Sequence, residues 1–153
     1  MSVGDTTVSN SHTVDLVQEP IVQGGALVPF FCTGSVGGGA TLYMFPGSNN
    51  LTCSVGTAAM PIPVSFSGTV KNLYVSYSAT PTNGSGDKFT VLRCPSLGSC
   101  SPTSVLCTVP VASKTCSDPT DTVSVSQGDG IVIEDSTGMS SMGANPRVSI
   151  EIQ

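Results

Sequence analysis

VSVSQGDGIVIEDS, residues 123–136, alternates apolar and polar side chains on both sides of a Gln-Gly-Asp-Gly knot. Val123 and Val125 alternate with serines before the knot, and Ile131 and Ile133 alternate with Val132 and Glu134 after it. A period of two is the signature of strands, because successive side chains point to opposite faces. Asp-Gly tolerates the positive φ of a tight reversal. Gly128, Asp129 and Gly130 are therefore expected to form the turn of a β-hairpin. The competing reading is an acidic site that holds a metal, and the alternation on both flanks favours the turn.

The same period continues outward. GTVKNLYVSYSA (68–79) is the longest alternating run, with Val70, Asn72, Tyr74 and Ser76 expected on one face and Lys71, Leu73, Val75 and Tyr77 on the other. KFTVLRC places Phe89, Val91 and Arg93 on one side, SVLCTVPV aligns Val105, Cys107 and Val109, and RVSIEIQ aligns Val148, Ile150 and Ile152. MPIPVSF places Ile62, Val64 and Phe66 on one face, its prolines suiting a sheet edge. ALVPFFC and TLYMFPG read as short strands closed by glycine and proline. No segment holds a helical period over ten residues, and 17 Gly and 11 Pro recur throughout, which weakens helices. Eight to ten short strands at about ten-residue spacing predict an all-β sandwich or barrel. The acids are expected at its bends.

A chain of 153 residues favours one domain. Only 10% of residues are charged, well below the roughly 25% usual for soluble proteins. A monomer relies on charge for solubility, so a neutral surface fits one covered by neighbours, or one solvated by Ser and Thr hydroxyls. The formal net charge is −5, and Lys71, Lys88, Arg93, Lys114 and Arg147 are scattered. No basic stripe exists to displace counterions, so nucleic acid is not an expected partner. No apolar run approaches the roughly 18 residues of a membrane span. The polar opening MSVGDTTVSNSHTVDLVQEP has no basic start and no apolar core, so no signal peptide is expected there.

Six cysteines are the richest chemical feature. Zinc sites favour close Cys-x-x-Cys pairs, which are missing. Cys94 and Cys100 bracket one turn and Cys107 and Cys116 another, spacings that suit disulfides across hairpin bases. Cys32 with Cys53 is the third pairing. Six buried free thiols, or a bond from Cys32 to another subunit, are the alternatives. A nucleophilic triad needs a rigidly held imidazole, and His12 stands alone in a polar terminal segment. Glu134 and Asp135 are adjacent on a strand and point to opposite faces, so they do not form an acid/base pair. Asp118, Asp121, Asp129 and Asp135 gathered at one end would offer oxygen ligands to calcium, but their spacing matches no calcium loop. No catalytic residue, metal or cofactor is expected. Asn50 and Asn83 head Asn-x-Ser/Thr sequons.

FSGTVKNLYVSYSATPTNGSGDKFTVLRCPSLGSCSPTSVLCTVP, continued through TDTVSVSQGDGIVIED, resembles the TNF/C1q-like jelly-roll head domains of viral and phage particles and of spore-surface collagen-like proteins. The likeness covers roughly residues 66 to 135 and is one of strands and turns. RCPSLGSC puts a cysteine-bracketed loop where that family usually has an Asn-Gly turn. The resemblance implies a two-sheet antiparallel jelly-roll sandwich, commonly trimeric, over residues 28–153. Residues 1–27 precede it as an N-terminal extended arm, in which Val14, Leu16, Ile21 and Val22 are candidates for adding a strand to a neighbour's sheet edge. The expected role is a non-enzymatic structural subunit on the outside of a virus particle: a minor capsid, penton or fibre-head protein. It would associate with itself as a trimer or larger assembly, and with other capsid or surface proteins. A disulfide-linked filament on a bacterial spore or cell surface is the alternative. A carbohydrate- or calcium-binding module, using the loops TNGSGD and SQGDG, is the second.

Overall fold

The computed structural model describes residues 25–32, 39, 41–44, 46, 54–55, 61–81, 85–137 and 145–153. The candidate arm residues Val14, Leu16, Ile21 and Val22, together with His12, Asn50, Cys53 and Asn83, lie outside the described residues. Among those described there are eleven strands and no α-helix. One antiparallel sheet runs β1 (Ala26–Phe31), β11 (Arg147–Ile152), β5 (Gly68–Ser76) and β8 (Thr115–Asp118), with β9 (Val123–Val125) also pairing β5. The other runs β3 (Ser54–Val55), β2 (Thr41–Met44), β10 (Gly130–Thr137), β6 (Asp87–Cys94) and β7 (Ser101–Val109), with β4 (Ile62–Pro63) on β10. Setting aside the short β3 and β4 and joining β8 to β9 leaves eight strands. Numbered along the chain, their sheet orders are 1-8-3-6 and 2-7-4-5. This is the interleaved order of a jelly roll, in which each sheet draws on both halves of the chain.

The alternation read from the sequence builds the space between the sheets. Phe89 and Val91 on β6, Val105, Cys107 and Val109 on β7, Ile131 and Ile133 on β10, and Val148, Ile150 and Ile152 on β11 all enter one core. Each fully buried apolar chain of this size contributes about 1.5–3 kcal/mol of transfer free energy. Strands β6 and β10, central in their sheet, also bury residues on the outer face. Leu92, Cys94 and Val132 form a second, small cluster there with Tyr43 and Cys100.

Three expectations need correction. Strict alternation fails along β5, where Val70 is buried with Leu73, Val75 and Tyr77 while Asn72 and Tyr74 are exposed. The cause is a β-bulge. Asn72 takes φ 55°, and the β5–β11 register shifts between Ser149 and Glu151. Two residues of β5 face one of β11, and the phase flips; Asn tolerates the left-handed region better than most residues. MPIPVSF contributes only a two-residue strand, and Ile62 and Phe66 are exposed. The knot is a turn, but no hairpin: β9 belongs to one sheet and β10 to the other, so the chain crosses the sandwich at Gly128–Gly130.

Candidate functional site

Strand directions give the sandwich two distinct ends. Gly130, Cys94, Gly68 and Ala26 lie at one, and Thr137, Asp87, Ser76 and Phe31 at the other.

The first end answers why Asp129 stands between two glycines. Gly128 takes φ +90°, and Asp129 N–H donates to Ser126 O at 2.9 Å, closing the turn. A Cβ on Gly130 would run into the Pro61 ring. Gly128 is thus required by conformation and Gly130 by space. Main-chain bonds then fix the segment before β5 onto the turn: Val64 N donates to Asp129 O at 2.8 Å and Gly128 N to Val64 O at 3.0 Å. The Asp129 carboxylate accepts Ser126 N (2.9 Å), Ser96 N (3.1 Å) and Arg93 Nε (2.8 Å), with Arg93 Nη2 at 2.7 Å. Backbone N–H groups of Ser126 and Ser96, and then Arg93, hold its pKa below the ordinary carboxylate range. Its four donors leave Asp129 a clamp at a sheet crossing. The phase of β6, with Phe89, Val91 and Arg93 in register, carried the signal for this pairing.

Asp118 does similar work. Burial alone would raise its pKa, but N–H groups of Asp121, Thr120 and Leu106 overcome that and lower it. The proposed calcium set does not assemble. Asp118 ends β8, Asp129 clamps the first end, and Asp135 is buried near the second. Among the described residues no cluster of three His, Cys, Asp or Glu side chains is placed to hold a metal.

Two disulfides mark the two ends. Cys94–Cys100 closes the base of the β6–β7 hairpin, where Arg93 pairs Ser101. Cys107–Cys116, with Cα atoms 5.8 Å apart, joins β7 in one sheet to β8 in the other. The second pair spans no hairpin; it staples the sheets together. Cys32, directly after β1, is also disulfide-bonded. Disulfides of this kind belong to an oxidising setting. No helix among the described residues is long and apolar enough to cross a membrane.

At the second end a cluster appears that the sequence reading missed. Tyr77 OH donates to Asp87 Oδ2 at 2.6 Å, its ring packs edge-on against Phe89 with centroids 5.8 Å apart, and Asp135 lies on the same inner face. Burial and the negative charge of Asp87 push the Asp135 carboxyl up to about 8. Burial also raises Asp87, against the lowering effect of the Tyr77 hydrogen bond. Burial, Asp135 and Asp87 together drive the Tyr77 phenol far up. These acids do not sit at bends: both lie in strands and face the core. Asp135 shares the phase of Ile131 and Ile133, which was the available signal.

Among the described residues an apolar groove lies at the first end, between β1 and the β4 segment. Ala26, Val28, Ile62, Val64, Phe66 and Ile152 line its cavity of about 240 Å³. Leu27 beside it is 71% exposed, Ile62 46% and Phe66 42%. A broader cleft of about 400 Å³ lies on the outer face of the second sheet, between the cross-strand pair Tyr43–Glu134 and the Cys100 loop. Burial and the adjacent Glu134 carboxylate raise the Tyr43 phenol.

Comparison of the chain with family models, with curated proteins and with solved structures gives no match in any of the three. The functional reading therefore rests on these surfaces and on the interior.

Proposed function

We propose that the protein is a non-enzymatic structural subunit that assembles with copies of itself on the outside of a particle, with a virion as the first setting. The observation that carries this reading is the apolar groove at the first end. Ile62 and Phe66 stand exposed in its lining, and Leu27 is exposed on the other face of the adjoining β1 edge, on a chain with few charges to keep a monomer apart from its neighbours. The β1 edge contributes further. Its strand hydrogen-bonds β11 on one side, and the only other described pairing is an isolated bridge from Phe30 to Pro46. The exposed stretch of that edge at Ala26 and Leu27 offers main-chain groups for pairing with another chain. Two disulfides and the clamp at Asp129 stiffen the subunit, which suits a surface module. The jelly-roll order agrees with the TNF/C1q-like resemblance and so supports a trimeric arrangement.

The test is the oligomeric state by light scattering and electron microscopy, for wild type and for Leu27→Lys and Phe66→Glu. Wild type is expected as a discrete oligomer or shell-like particle, and the variants as monomers with unchanged β-sheet circular dichroism. A wild type that stays monomeric at every accessible concentration overturns the reading. Ladders on non-reducing gels and long fibres would instead favour the surface-filament alternative.

A further inference from the structure

The core at the second end holds two carboxyl groups that assembly does not use. Asp135 is fully buried and Asp87 is 1% exposed. They are diagonal neighbours on the inner face, since Asp135 pairs Phe89 and Asp87 pairs Thr137. Asp87 Oδ1 and both oxygens of Asp135 have no hydrogen-bond partner. The surrounding elements supply no cation. Lys88 on β6 and Arg147 on β11 are exposed, and Lys114 reaches Ser78 O instead. Glu134, next along β10, is only half buried and pairs across the strands with Tyr43. Among the described residues, Tyr77 from the facing sheet is the single titratable donor in contact.

Two ionised carboxylates in such a place would repel each other and leave three oxygens without donors. Buried acceptors without donors are costly, and like charges in low dielectric force one site to keep its proton. A single proton relieves both problems. The O–H of one carboxyl donates to the other, and the number of unpartnered oxygens falls from three to one. A hard cation asks for about six or more oxygen ligands, and the residues described here bring two carboxylates and one phenol.

We propose that Asp87 and Asp135 form a proton-binding site, sharing one proton between two carboxyl groups, and that this proton latches β6 to β10 at the second end of the sandwich. When it leaves to solvent base, two carboxylates remain face to face and this end loosens. The nearby Cys107–Cys116 staple keeps the sheets together, so the loosening stays local. The raised Asp135 pKa sets the change close to neutral or mildly alkaline pH. The site lies in the interior and does not depend on the assembly reading.

Carbon-13 carboxyl NMR of the wild-type protein tests it directly. One carboxyl of the pair is expected to keep a protonated shift at about pH 6 and to titrate close to pH 8. Across that range the unfolding equilibrium constant should rise about tenfold per pH unit for the one proton lost. Asp135→Asn should flatten that rise, and amide exchange at Asp87–Phe89 should quicken in wild type alone. Both carboxyls ionised at about pH 6 would overturn the proposal, even if the variant fails to fold. So would a millimolar calcium or magnesium addition that restores wild-type stability at alkaline pH, since a cation would then be the occupant.

Discussion

The two ends of the sandwich each hold carboxyl chemistry next to a disulfide, and they treat the carboxyl in opposite ways. At the first end Asp129 receives two backbone N–H groups and an arginine, and its pKa falls. At the second, Asp87 and Asp135 have one phenol between them, and their pKa values rise. The residue type is the same; Asp129 sits at a turn where donors outweigh burial, while Asp87 and Asp135 sit deeper with too few donors to offset it. One end is stabilised by a charge and the other by the absence of one. The disulfides differ in parallel: Cys94–Cys100 closes a hairpin within one sheet, while Cys107–Cys116 ties the two sheets across the core.

The largest expected effect breaks the second end. Asp135 is neutral in the folded state to about 8, but its unfolded pKa is 3.8. The folded chain therefore binds the proton more tightly. The stabilisation is complete below the unfolded value and is lost as pH rises toward the folded one. The shift corresponds to a swing on the order of 5 kcal/mol. Asp135→Asn cannot ionise, so at about pH 9 it should exceed wild type by about 3 kcal/mol, after subtracting the cost of a buried amide. At about pH 5 it should fall below wild type. Urea midpoints at the two pH values check the crossing.

Removing the staple comes next. Cys107→Ser with Cys116→Ser opens a closed loop with a sequence separation of nine, for a loss of about 2–3 kcal/mol. Its sharper signature is spatial. Hydrogen exchange should quicken at β8 and the C-terminal half of β7, while the Asp129 corner keeps its protection. Equal loosening at both ends would mean that they are not separate units.

Much of this was readable from side-chain phase. Val105, Cys107 and Val109, and Val148, Ile150 and Ile152, lie in the core as the period of two predicts, because both strands are regular. GTVKNLYVSYSA misled because one Asn in a left-handed conformation flips the phase, and nothing local in the sequence marks a bulge. The knot at Gly128–Gly130 was legible as a turn and not as a crossing. Which sheet each flank joins depends on β5 and β6, more than 30 residues away. The acid pair was half legible. Asp135 follows the phase of Ile131 and Ile133, but its partner Asp87 stands 48 positions earlier and only the fold brings them together. The apolar groove was hidden because Ile62 and Phe66 look like core residues until their strand proves too short to bury them.

Tyr77→Phe gives a smaller effect that isolates the phenol. It leaves the ring against Phe89 and removes the donor that Tyr77 gives Asp87. Loss of one hydrogen bond to a buried carboxyl should cost about 1–2 kcal/mol at neutral pH. It should also raise the Asp87 pKa further, because the Tyr77 bond is what lowers it. Carboxyl NMR on the variant reads both at once. An unchanged Asp87 titration would mean that the phenol contributes packing alone.

The smallest effect is expected where the contacts look strongest. Asp129→Asn keeps the shape of the clamp and, with its oxygen turned toward Ser126 and Arg93, gives up the charge and the acceptor for Ser96 N. The Arg93 side chain is 35% exposed, so water screens the pair and most of its Coulomb energy is offset by solvation. The carboxylate's depressed pKa means that its stabilisation is present at neutral pH and is lost as pH falls through the folded value. Wild type should therefore weaken on acidification below about pH 4. The Asp129→Asn variant should lose that acid dependence and keep the alkaline one. Thermal melts of the single variants and of Asp129→Asn with Asp135→Asn resolve the matter. If the ends are independent, the double variant shows both flattened limbs as the sum of the two single changes. A non-additive result would show that the crossing turn and the acid pair communicate along β10, from Gly130 to Asp135, or along β6, from Arg93 to Asp87.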